Sequence, residues 1–187
     1  MNANAPESNL PDWSTDSAKL TAHIQEYWES MGVESCQIMS MGIDGSVSGG
    51  GSTDGGGSFQ MAGPSTVTFQ RGIDGIPVVE SLAPARFEVD DQSTFEAFYW
   101  PEIPAQVVSA AIAFKNQLAN PQALAAYKAK LPADAQGQGS VVIHHSSQSS
   151  MGPFQAAATY EVLQNNPLGE GADLDFDPDG NAVTTTW

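Results

Sequence analysis

Thr66-Val-Thr-Phe-Gln-Arg-Gly-Ile-Asp-Gly-Ile-Pro-Val-Val79 is the stretch on which the reading of this 187-residue chain turns. Val67 and Phe69 alternate with Thr66, Thr68 and Gln70, the period-2 pattern of a half-buried strand. Gly72, Asp74 and Gly75 bring turn chemistry, and Ile76-Pro-Val-Val79 opens a second strand, so the segment reads as a β-hairpin. Pro77 has no N–H to give to a ladder, which places it at a sheet edge, a strand end or a bulge.

Upstream of the hairpin, Leu20, Ile24, Trp28 and Met31 recur at helical spacing behind Ser14, Asp16 and Ser17, any of which can cap a helix. Gly32 and Val33 supply a Schellman-type stop. Residues 1–13 read as a flexible leader. Glu34 to Met41 reads as a strand, with Cys36 as a small buried hydrophobe. Residues 46–58 have the Gly/Ser composition of a linker and read as a loop within one domain. A phosphate cradle there would need a lysine and a following helix, and the stretch has neither. Phe59 to Ala62 resumes a strand that Pro64 is expected to break.

Downstream, the second hairpin arm is expected to run through Val89, with a turn at residues 90–93 and an aromatic-rich strand over Thr94–Trp100. Pro104 opens a second helix carrying Val107, Ala111, Phe114 and Leu118 on one stripe. Asn120 caps a third, with Pro121 at its first position and Leu124, Tyr127 and Leu131 inward. Ser140–His145 pairs with Phe154–Leu163, and residues 181–187 close in a hairpin. Helices and runs of strands that do not strictly alternate give an α+β fold, an antiparallel, curled β-sheet packed against two main helices. The chain reads as a single domain over 14–187, divisible into helix-plus-strands halves at 14–100 and 101–187.

Six basic residues against 22 acidic ones give a net charge of −16. That charge argues against nucleic acid and anionic membranes, and favours a cation or a partner with a basic surface. The single cysteine, Cys36, excludes an intramolecular disulfide and a thiolate-based zinc site. No apolar run approaches the roughly 20 residues of a membrane span. Met1 to Ser8 lacks the basic start and apolar core of a signal peptide, and reads as the leader of an exported protein after signal removal.

Three constellations bear on chemistry. Asp175-x-Asp177-x-Asp179-Gly180 matches the opening of a calcium loop, but Thr186 stands where the loop needs a bidentate Glu, and Asp177-Pro-Asp-Gly180 is equally a turn. His144 and His145 are sequential on a strand and therefore point to opposite faces, so they do not share one metal, although either can meet carboxylates from elsewhere. The serines at 140 and 146–150 include no G-x-S-x-G elbow. Nothing positive in the sequence argues for an enzyme.

A helix ending in Tyr27-Trp-Glu-Ser-Met-Gly-Val33, a strand, and then Val67 through Val78 together resemble the PepSY and fungalysin/thermolysin propeptide modules, themselves cystatin-like. Phe69, Arg71, Gly75, Ile76, Pro77 and Val78 carry the likeness, and Asp177-Pro-Asp-Gly180 is similar to another turn of such sheets. The Gly/Ser insertion at 46–58 departs from that pattern, as does the lack of a peptidase domain within this chain. The resemblance implies a non-catalytic module of extracellular or periplasmic proteins that inhibits a protease or helps it fold. It would bind by adding a strand or through Arg71, Asp74, Ile76, Pro77, Phe98 and Trp100. Two alternatives stand beside it. One is a self-assembling extracellular protein with calcium at Asp175, Asp177 and Asp179; the other is an enzyme or small-ligand carrier with a pocket between helices and sheet.

Overall fold

The computed structural model describes residues 17–50, 59–87, 93–96, 99–147, 152–162 and 174–185. In chain order these form α1 (Ser17–Ser30), β1 (Ile38–Gly50), β2 (Phe59–Ile73), β3 (Ile76–Phe87) and β4 (Ser93–Glu96). There follow α2 (Ala105–Leu118), α3 (Pro121–Lys128), β5 (Gly139–His145), β6 (Ala156–Val162), β7 (Leu174–Phe176) and β8 (Ala182–Val183). The leader at 1–13, Phe98, residues 51–58 of the Gly/Ser stretch and most of the turn expected at 90–93 lie outside the described residues.

The hairpin is present. Asp74 and Gly75 form its two-residue turn with φ of 50° and 68°, the doubly positive geometry that follows strand twist and favours Asp-Gly. Lys115 closes it, its Nζ donating to the carbonyls of Asp74 at 2.8 Å and Gly75 at 3.0 Å. Pro77 is the second residue of β3, at the strand end where its missing donor costs least.

The chain folds as two compact units. One takes residues up to 69 together with 82–98; the other takes 70–81 and 99 onward. In the first, the sequence-encoded helix stop is realised: Val33 N–H reaches Trp28 O and Gly32 N–H reaches Glu29 O, both at 3.0 Å, with Gly32 at φ 98°. Trp28 and Val33 are buried, as this motif prefers. Met31, expected inward, is exposed. The predicted strand at 34–41 begins later, because Ser35–Gln37 is a 3-10 turn held by Gln37 N–H to Glu34 O and Gln37 Nε2 to Glu34 Oε2, each 2.8 Å. Cys36 in that turn is exposed rather than buried. β1 then runs to Gly50, so residues 46–50 are extended strand. β2 continues straight through Pro64, whose fixed φ suits an extended chain even without a donor. β4 pairs antiparallel with the far end of β3.

In the second unit the hydrogen-bonded order is β2-β3-β5-β6-β7-β8, antiparallel except for β3 and β5. That one parallel pair departs from the all-antiparallel expectation. It is allowed because the chain between β3 and β5 passes through α2 and α3, long enough for a crossover. Pro104 sits at the N-cap of α2, and its carbonyl accepts from Val107 and Val108. Ala111, Phe114 and Leu118 bury one stripe against β5 and β6, joined by Tyr127 and Leu131 from α3 and its exit. Ile76, Val78, Val141, Ile143, Tyr160, Val162 and Phe176 form the sheet side of this core. An α+β fold with helices laid on a mostly antiparallel sheet results.

Asn120 caps α3, its Oδ1 accepting from Gln122 N at 2.9 Å and Ala123 N at 3.3 Å. Asn120→Ala is expected to cost about 0.5–2 kcal/mol, read as a shift in the denaturant midpoint; an unchanged midpoint would contradict the cap.

Candidate functional site

Alternation along β5, β6 and β7 sorts their side chains onto two faces. The register pairs Ser140 with Glu161, Val142 with Thr159, and Glu161 with Asp175. Val141, Ile143, Tyr160, Val162 and Phe176 therefore point to the helices, while Val142, His144, Thr159, Glu161 and Asp175 share the other face. A buried polar cluster forms there.

At its centre is His144, 5% exposed. Its Nδ1 lies 2.7 Å from Glu80 Oε1 on β3, and its Nε2 lies 3.0 Å from Asp175 Oδ1 and 3.7 Å from Glu161 Oε2. Asp175, 8% exposed, is oriented by two hydroxyls. Thr159 Oγ1 donates to its Oδ1 at 2.7 Å and Thr185 Oγ1 to its Oδ2 at 3.0 Å. The second oxygen of Glu80 accepts the backbone N–H of His145 at 2.9 Å, so the carboxylate clamps both ring and strand.

Burial disfavours the charged ring, but hydrogen bonds to Asp175 and Glu80, and their charges, outweigh it and push His144 up to about 10. Burial likewise works against the carboxylates of Glu80 and Asp175, yet bonding to His144 holds both below their ordinary range. The cluster is thus an imidazolium among carboxylates. The carboxylate contributions are present above the ordinary values of 4.5 and 3.8 and are lost as pH falls through the lowered ones. The His144 contribution is complete below 6.5 and is lost as pH rises toward about 10. Protein kept in chelator is therefore expected to be most stable near pH 5–6.5 and to weaken on both sides. Urea midpoints across pH 4 to 9 check this, and a flat profile would contradict it.

His145 takes the opposite face, as strand geometry requires. Its Nδ1–H donates to Ser146 O at 2.9 Å, which leaves Nε2 to accept from Ser81 Oγ at 2.9 Å. Tyr99 packs edge-on and Phe154 stacks against the ring, at centroid distances of 5.2 and 5.8 Å. A serine–imidazole pair in this geometry is chemically suggestive. Here Ser81 is 0% and His145 1% exposed, and the pair ties β3 to β5.

The residues singled out from sequence fare differently. Arg71 is buried, donates to Pro101 O at 2.6 Å and lies 5.3 Å over the Trp100 ring. Ile76 sits fully inside the core. Neither side chain is presented to a partner; Asp74 is exposed, and Pro77 and Trp100 are half-buried. Phe98 lies outside the described residues. Of the three aspartates, Asp175 turns to His144. Asp177 spends its oxygens on the amides of Asp179 and Asn181 and on Asn181 Nδ2, at 2.8–2.9 Å, which is turn chemistry. Asp179 is exposed. The ligand-type atoms that converge instead belong to His144, Glu161 and Asp175, all within 4.8 Å of one another.

Glu80, Ser81, Thr159, Glu161 and Thr185 escaped sequence reasoning. Their one trace is polar residues at alternate positions of otherwise apolar strands, as in Thr159-x-Glu161 beside Tyr160 and Val162. In comparison with known proteins, no family model matches the chain, and no curated protein or solved structure matches it either.

Proposed function

We propose that this chain is a non-catalytic, exported protein-binding module, acting by surface recognition in the manner of a protease propeptide. The observation that carries the reading is β1. This strand is 13 residues long and ends the hydrogen-bonded order, with β2 its one neighbour among the described residues. An outermost strand of that length offers a row of ladder groups to an incoming strand, and strand addition is a recurrent mode of peptide capture. Among the described residues, by contrast, His144, Glu80 and Asp175 of the second unit are bonded to one another. A net charge of −16 favours a partner whose docking surface is basic, and slows non-specific self-association.

The test is to mix the full chain with secreted metalloproteases and to measure inhibition and complex formation. Neighbouring N–H groups on a strand point to opposite edges, so proline at 39 and proline at 40 act differently. One should abolish binding while leaving the fold intact, and the other should disturb β1–β2 pairing. Absence of both inhibition and complex removes the propeptide-like role.

A further inference from the structure

We propose that His144 Nε2, Asp175 Oδ1 and Glu161 Oε2 form the protein face of a site for one divalent transition-metal ion, with Glu80 holding the imidazole from behind. Four features of the cluster support this, and none depends on the calcium-like spacing at 175–180.

The first is size. With metal–ligand bonds of about 2.1 Å, two donors on one ion stand about 3.4 Å apart in a tetrahedron and about 3.0 Å apart on a cis edge of an octahedron. The two edges from Nε2 measure 3.0 and 3.7 Å, within a few tenths of an ångström of those spacings, and the three donor atoms all lie within 4.8 Å of one another. The second is orientation. Metal-ligating histidines give their other nitrogen to a carboxylate or carbonyl, and Glu80 Oε1 occupies that place at 2.7 Å from Nδ1. The third is the outer ring on Asp175, whose two oxygens are aimed by Thr159 and Thr185; ligating carboxylates are held in this way. The fourth is covalent framing. His144, Glu161 and Asp175 stand on three consecutive neighbouring strands, so backbone ladders fix their separation.

The donor set also selects the ion. One imidazole and two carboxylates suit Zn²⁺, Mn²⁺, Fe²⁺ or Co²⁺, whereas Ca²⁺ wants six to eight oxygens and soft ions want sulfur. Binding exchanges the Nε2 proton for the metal, and the proton leaves to solvent. The competing arrangement is the imidazolium as the resident cation, bonded directly to Asp175. The two are separated by what happens at Nε2.

The experiment strips the full chain with chelator and titrates it with Zn²⁺, using calorimetry for stoichiometry and nitrogen NMR of the histidine rings as a direct readout. Saturable uptake of one Zn²⁺ per chain is expected, with the His144 Nε2 resonance leaving the protonated range while His145 stays put. Glu80→Gln should weaken binding about 10–100-fold and Asp175→Asn by more, while Asp177→Asn and Asp179→Asn leave it unchanged. Should Asp175→Asn fail to fold, the wild-type resonance still decides. No saturable uptake overturns the proposal. So does uptake that leaves the His144 resonance unmoved, or uptake abolished by Asp177→Asn or Asp179→Asn.

Discussion

His144→Ala in chelator-treated protein is expected to lose about 3–5 kcal/mol, the usual penalty for removing one partner of a buried charge cluster. The loss comes less from the missing attraction than from what stays behind. Glu80 and Asp175 each lose the cation they bond, and Glu161 loses the charge 3.7 Å away. Desolvation already acts against both of the bonded carboxylates, so without the ring they are driven to bind protons. Two consequences separate this from loss of packing. Combining His144→Leu with Glu80→Gln, Glu161→Gln and Asp175→Asn should recover much of the stability, since a cluster without charges has none to leave unpaired. The gap between His144→Ala and wild type should also narrow as pH falls through the lowered values of Glu80 and Asp175, where the carboxylates of both proteins take up protons. Urea denaturation at several pH values measures both; a constant gap across that range would assign His144 to packing alone.

Phe176→Ala should cost a comparable amount, about 3–5 kcal/mol, the typical transfer-plus-cavity penalty for an aromatic in a filled core. Phe176 is 2% exposed and belongs to the cluster built from α2, α3, β5 and β6. Tyr127 stands edge-on to both Phe114 and Tyr160 at 5.3 Å, so the surrounding rings cannot all close on the void at once. Against a domain stability of about 5–15 kcal/mol, such a loss is large. Phe154→Ala is the natural control, because that residue is 40% exposed and has correspondingly less burial to lose. Phe176→Leu, closer in volume, should cost under about 1.5 kcal/mol. A Phe176→Ala midpoint close to wild type would mean that β7 does not belong to the cooperative core. It would then also be too loose to hold Asp175 against His144, since Asp175 and Phe176 are adjacent on a three-residue strand.

The parts of the fold legible in sequence are those decided within a few residues. Asp74-Gly75 makes its turn because Gly, and to a lesser extent Asp, tolerates positive φ. Gly32-Val33 stops α1 and Asn120-Pro121 starts α3 through hydrogen bonds that reach no further than the adjoining turn. Stripes at 3.6 and 2.0 residues mark Ala111, Phe114 and Leu118, and Val67 and Phe69, as inward positions, and all are buried. The misreadings were local competitions as well. Glu34 offers its neighbours a 3-10 turn in place of a strand, and Pro64, expected to break β2, has a φ that fits an extended chain.

The polar cluster lay beyond such reading. Glu80 and His144 are 64 positions apart and Asp175 a further 31; they meet only because β3 lies beside β5 and β7 beside β6. Strand order is settled by how the whole core closes, through the parallel crossover that carries α2 and α3, and no window of sequence encodes it. Sequence alone therefore determined the hairpin, the helices, the Asn120 cap and the inward positions of α2 and β2. Tertiary structure alone decided that a histidine and three carboxylates share one buried face, because contacts between distant strands follow from global packing and not from local preference.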